Sequence, residues 1–202
     1  MARPLSVLAL SLFAAATPAL AEDAPAPECP TAPQALADHA TAPRHVIPES
    51  LASAFPSREL VTDLITWIGE NTAYDIADAL ADPPAISLCS PGTSIDYEGR
   101  IVLVDEKLRA AYDMEARHIF LVRPWSADDP MHVSSLLHEL IHHVQWTRRT
   151  WDCMYEPEWQ AYKLQDKWLK ERGVDAGFDW FFIFAISRCQ PNVHPGLEKA
   201  PD

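Results

Sequence analysis

The stretch Ser134-Ser135-Leu136-Leu137-His138-Glu139-Leu140-Ile141-His142-His143-Val144-Gln145-Trp146 decides how this chain is read. Within it His138 and His142 stand four apart, with Glu139 directly after the first: the HExxH spacing. On a helix such histidines lie one above the other, so both rings can present a nitrogen to one metal ion. Glu139 falls about 100° further round the helix, within reach of a water at that ion as a general base. The reaction class this implies is metal-assisted hydrolysis.

At about 3.6 residues per turn, Met131, Ser134, Ser135, His142 and Gln145 fall within about 60° of His138. Val133, Leu136, Leu137, Leu140 and Val144 occupy the other side, with Ile141 at its edge. That aliphatic face must pack on a core. The histidine pair stands off it, so the reading that competes with a metal site is a solvated polar face. Asp128-Asp129-Pro130 supplies an N-cap candidate, acidic charge at the positive end of the helix dipole and a proline for the first turn. Upstream, His118-Ile119-Phe120-Leu121-Val122 reads as a buried strand and Ile101-Val102-Leu103-Val104 as another.

Strands feeding a helix that carries HExxH resemble the zincin metallopeptidases, over roughly residues 119–170. A mononuclear zinc hydrolase needs three protein ligands and one open position. The candidates for the third are His194, Glu156 and Glu158, the two glutamates lying in Cys153-Met154-Tyr155-Glu156-Pro157-Glu158-Trp159-Gln160-Ala161-Tyr162-Lys163-Leu164-Gln165. Pro157 suits the first helical position, which puts Glu156 at the cap. Glu158 then shares a side with Ala161, Tyr162, Leu164, Gln165, Trp168 and Leu169, while Gln160, Lys163, Lys167 and Lys170 cover the other. A carboxylate on a buried face needs a cation or donors. The plainer alternative is a first-turn glutamate that only favours the helix dipole.

Glu158-x-x-Ala161-Tyr162 is also similar to the second helix of gluzincins, where a glutamate completes a His-His-Glu zinc site. Gln145 and Arg148 stand where metzincins have glycine and a third histidine, so that reading fails. More narrowly, His138 to Gln145, Cys153, the AYxLQxxWL helix from Ala161 to Leu169 and Ser187-Arg188-Cys189 resemble a family of small secreted bacterial proteins of undefined function. That resemblance implies a zinc site and brings no substrate.

Met1-Ala2-Arg3, an apolar run to about Ala16 and Ala19-Leu20-Ala21 have the build of a signal peptide over residues 1–21. Its removal leaves 181 of the 202 residues and takes the formal charge from −13 to −14. Such acidity offers no attraction to nucleic acid or anionic lipid. Six prolines mark residues 22–48 as an extended arm, and 49–202 is long enough for one domain with a core. The later run Phe178 to Ile186 is too short to span a membrane and reads as a buried helix.

An exported chain with Cys29, Cys89, Cys153 and Cys189 is expected to form two disulfides, in one of three pairings. A Cys153–Cys189 bridge would pin the Glu158 helix and leave Cys29–Cys89 to hold the N-terminal arm. Leu60, Val61, Leu64, Ile65, Trp67 and Ile68 repeat at helical spacing until Gly69-Glu70-Asn71. Pro83-Pro84 breaks a following short helix, Ile86-Ser87-Leu88-Cys89 reads as a strand, and Pro91-Gly92 and Glu98-Gly99 mark turns. His39, His45, His118, His132 and His194 read as solvated. His143 points away from the metal, with packing or support as its role. Tyr162 shares the ligand face and is either structural or a donor to a transition-state oxyanion.

The expectation is an exported, periplasmic or secreted α+β domain with a short sheet, an HExxH helix and a second helix carrying the glutamate ligand. Zn2+ is held by His138, His142 and Glu158, Glu139 is the general base, and the substrate is a peptide or other amide. The alternative is a non-hydrolytic envelope scaffold or binding protein that keeps the zinc fold.

Overall fold

A computed structural model of the chain describes Cys29 and residues 55–189. The expected signal peptide, the proline-rich arm apart from Cys29, His39, His45 and His194 lie outside these residues. The fold is α+β, as expected. Helices α1 (Arg58–Asn71) and α2 (Ala77–Ala81) precede strands β1 (Ala85–Cys89), β2 (Ser94–Tyr97), β3 (Arg100–Leu103), β4 (Ala110–Asp113) and β5 (His118–Val122). Helices α3 (Pro130–Arg148), α4 (Glu158–Lys170) and α5 (Trp180–Ile186) follow.

Three strands form one sheet in the order β1-β5-β4, with β1 parallel and β4 antiparallel to β5. Alternation along β5 divides its side chains between two cores. Ile119 and Leu121 face the main core, beside Leu64, Ile65 and Ile68 of α1 and Leu136, Leu137, Leu140 and Ile141 of α3. Phe120 and Val122 face a smaller cluster with Cys89, Ile95 and Val104. Burying an aliphatic side chain is worth about 1.5–3 kcal/mol. The aliphatic half of α3 is therefore enough to seat that helix on the sheet and on α1.

Local chemistry starts the helices where the residue types allow. Asp129 caps α3 by accepting from the Met131 N–H at 2.8 Å, and Pro130 fills the first turn. Ser57 caps α1 through the Leu60 N–H at 3.1 Å. That helix runs on through Gly69 to Asn71, and Gly69 lies so close to Ile76 that a side chain there would collide with it.

Several expectations are corrected. The second buried strand is exposed along all of β3, and only Val104 beyond it is buried. It belongs to a separate two-stranded ribbon with β2, which reaches the core through Ile95 and not through β3. The buried C-terminal helix is α5, where Ile183 is the one buried side chain and Phe181 is 84% exposed. Seven residues packed beside α4 can bury only a single stripe. Pro157 sits at the cap of α4 and not in its first turn. His118 is half-buried, stacked on Phe120 and bonded to the Ser87 hydroxyl at 2.9 Å, and burial holds its pKa down. His132 accepts from the Ser126 N–H at 3.2 Å through Nδ1.

Both expected bridges form, Cys29–Cys89 and Cys153–Cys189. The first ties Cys29 to the end of β1, where its N–H also bonds the Leu88 carbonyl. The second joins the turn before α4 to the end of α5. In the chain-entropy picture a loop of that size is worth about 3–4 kcal/mol. Peptide mapping of unreduced protein should recover Cys29 linked to Cys89 and Cys153 to Cys189. Any other pairing would contradict this packing of α4 against α5.

Candidate metal centre

The polar face of α3 is not solvated. His138, Glu139 and His142 are buried, and so are Ser134 and Gln145, because α4 lies across them. The helix is thus buried on both sides, by aliphatic packing on one and by a polar interface on the other. Within that interface the His138 and His142 Nε2 atoms are 3.0 Å apart. Glu158 reaches both, with Oε2 at 3.2 Å from His138 and Oε1 at 3.4 Å from His142. All three ligand atoms lie within 4.8 Å of one another, so this group can hold a metal ion.

Surrounding hydrogen bonds decide which ring nitrogens carry protons. The Gln145 Nε2 group donates to the Pro157 carbonyl, an acceptor only, so Gln145 turns Oε1 toward His142 Nδ1 at 3.0 Å. The Ser134 hydroxyl gives its proton to the Met131 carbonyl and therefore accepts from Gln165 Nε2. That leaves Gln165 Oε1 facing His138 Nδ1 at 3.0 Å. A carbonyl oxygen can only accept, so both Nδ1 atoms are protonated. In the neutral rings both Nε2 lone pairs then point at the Glu158 carboxylate. Rings protonated at Nε2 as well would instead donate to Glu158; such contacts with His138 and His142 outweigh burial and hold its carboxyl well below the usual carboxylate range.

Three electron-pair donors converging in a buried interface demand a positive centre. Zinc ligands at about 2.0–2.2 Å in a tetrahedron stand about 3.3–3.5 Å apart. The observed separations of 3.0, 3.2 and 3.4 Å come close to that spacing.

Glu139 is one helical step from His138 and is not among these donors. It accepts from the Tyr112 backbone N–H, and burial raises its pKa against the lowering influence of the two histidines. The Tyr112 N–H is free for this bond because Tyr112 faces Ile119 as a non-hydrogen-bonded pair on the outer edge of the sheet. The Tyr112 hydroxyl in turn meets His143 Nδ1 at 3.0 Å. His143 is fully buried and remote from the metal group, in its expected supporting place.

Tyr162 packs edge-on against the His138 ring at 4.5 Å between centroids. Its hydroxyl is raised by burial, with Glu158 and Glu139 adding to the effect. Glu156 is elsewhere, paired with Arg149 at 3.0 Å and the Asp152 N–H at 3.2 Å. Gln160, expected on the lysine side, instead accepts from Tyr74 and Gln145.

A cleft of about 280 Å³ opens onto Glu139 and the metal group. Sequence reasoning missed the residues of its far wall: Tyr97 and Glu98 at the tip of the β2–β3 hairpin, and Ala110 to Tyr112 on the edge strand. The Glu98-Gly99 turn signal located the tip but nothing in the sequence pointed it at the motif helix. Gln145 and Gln165 were legible as residues on the ligand faces, and their role as partners of the histidines was not.

A family model matches residues 53–196, which span the motif helix, the ligand helix and the sheet. The chain belongs to DUF6647, a domain of unknown function. No curated protein and no solved structure matches it. Membership of the family therefore carries no chemistry of its own, and the site must be read from its geometry.

Glu158→Gln should strip the bound metal while Glu156→Gln leaves metal content near wild type, measured by elemental analysis of purified protein. Gln165→Ala should weaken metal affinity about 10- to 100-fold in a chelator competition, since partners of ligating histidines typically carry that much.

Proposed function

We propose that this protein is an exported zinc-dependent hydrolase of peptide or other amide bonds, of the gluzincin kind. The observation that carries this reading is the pair of Nδ1-protonated histidines whose free Nε2 atoms meet Glu158, with Glu139 unligated beside them. His138, His142 and Glu158 would hold the ion and leave one position open toward the cleft. Zinc in such a place polarises a carbonyl and makes water acidic enough to be a nucleophile at neutral pH.

The rest is done by the chain. Glu139, kept basic by burial and fixed by the Tyr112 N–H, takes the proton of the attacking water and passes it to the leaving nitrogen. Tyr162 lines the same cleft and supplies a hydroxyl for charge that develops on the carbonyl oxygen. Two disulfides agree with an oxidising compartment, and among the described residues no helix is long and apolar enough to cross a membrane.

Glu139→Gln separates an enzyme from a scaffold that merely keeps the metal. The variant should retain zinc content and melting temperature and lose about 10²- to 10⁴-fold in turnover. The measurement is amide-substrate profiling alongside complementation of a deletion strain. Full rescue by a zinc-loaded Glu139→Gln protein would sink the hydrolase reading.

A further inference from the structure

A second cleft, of about 360 Å³, lies between the segment just past α3, the start of α4 and the end of α5. Small-molecule sites typically measure about 300–1,000 Å³. Among the described residues it shares no lining side chain with the metal cleft. Glu158 and Tyr162 line the metal cleft, whereas Glu156, Trp159 and Gln160 border this one. Its occupancy therefore does not depend on the hydrolase reading.

The walls combine flat apolar surface with guanidinium groups. Trp159 and Phe184 meet edge to face at 5.7 Å between centroids. Arg149 lies over the Trp151 ring at 3.5 Å, and Arg188 over Phe184 at 4.2 Å. A guanidinium held over a ring keeps its N–H edge for another partner. Both cations are within reach of a ligand, since the Arg149 side chain is 50% exposed and Arg188 is exposed as well.

The hydrogen-bonding capacity left in this cleft is one-sided. Its carboxylate, Glu156, is taken by Arg149 and by the Asp152 N–H. Gln160 turns Oε1 toward two donors, the Tyr74 hydroxyl at 2.7 Å and Gln145 Nε2 at 3.1 Å, which fixes the amide and directs its own Nε2 away from them. That Nε2 has no partner among the described residues and stays in contact with solvent. Arg188 has no carboxylate partner among the described residues either. Two guanidiniums against one carboxylate leave one positive charge, in a chain whose net charge is −13. A monoanion balances it, and a phosphate dianion would exceed it. We propose that this cleft binds a carboxylate borne on an aromatic or apolar group. Arg188, Arg149 and Gln160 donate to the carboxylate, and Trp159 and Phe184 pack on the body. Such a group is either a free organic acid or the carboxyl end of a peptide.

The test is titration calorimetry of the purified protein with 3-phenylpropionate. This acid should bind about tenfold tighter than 3-phenylpropionamide, which lacks the charge, and than propionate, which lacks the ring. N-acetyl-phenylalanine has the same frame with an amide at its α-carbon. If it binds more tightly than 3-phenylpropionate the ligand is a peptide end, and if equally or more weakly it is a free acid. Arg188→Gln should lower the affinity for 3-phenylpropionate about tenfold. Gln160→Glu keeps an oxygen for Tyr74 and Gln145 and sets a negative charge where the free amide stood, so it should abolish binding. Arg188 is exposed, so its variant should melt near wild type and keeps the readout should Gln160→Glu destabilise the fold. A carboxylate held by the metal group instead would survive both substitutions, and that result would overturn the proposal. So would equal binding of the acid and its amide, or no heat at millimolar 3-phenylpropionate.

Discussion

The convergence of two imidazole lone pairs and one carboxylate between α3 and α4 is the constraint on which the rest of this structure depends. Unpaired charge in such a place costs several kcal/mol, so the carboxylate needs positive charge beside it, from protonated rings or from a metal ion that the group can hold. The surrounding groups make sense only as answers to that demand. Gln145 and Gln165 each spend a carbonyl on a histidine, and each has its amide group committed elsewhere, so neither can turn round. Ser134 completes the chain by giving its own proton to the helix backbone. The result is a pair of rings whose tautomers are set by partners well outside the metal group.

The sheet contributes to the chemistry as well as to the core. Its edge strand β4 lies against α3, and the groups that β5 leaves unpaired are used by the site. The Tyr112 N–H holds Glu139 and the Tyr112 carbonyl receives Tyr97. The tyrosine side chain is anchored from behind by His143, whose ring it meets nearly at right angles. Glu139, the hairpin and His143 are thereby tied to one residue of one strand. The Cys153–Cys189 bridge acts on the opposite side, holding the approach to α4 and therefore Glu158 in place.

Much of this was legible from residue order. His138, Glu139 and His142 followed from spacing on a helix, and Glu158 from its phase relative to Tyr162 and Gln165. The Asp129 cap and the strand at His118–Val122 were read in the same way, and the disulfide pairing was preferred among three because Cys153 and Cys189 flank the helices they join. The errors share a cause. Ile101 to Leu103 and Phe181, Phe182 and Phe184 are apolar enough for a core, and the sequence does not say whether enough neighbours exist to cover them. A two-stranded ribbon and a seven-residue helix do not provide them.

What the sequence by itself determined is local: which residues are helical, which face of each helix is polar, and which side chains have metal-ligand chemistry at the right period. Those properties depend on neighbours within about one turn, so the periodicity of the chain encodes them. What only the tertiary structure decided is which polar faces meet. That α4 covers the histidine face, that Tyr112 reaches Glu139, and that a hairpin tip brings Glu98 to the same cleft all depend on contacts between residues far apart in the chain. Such contacts are chosen by the packing of the whole core, and no short pattern records them.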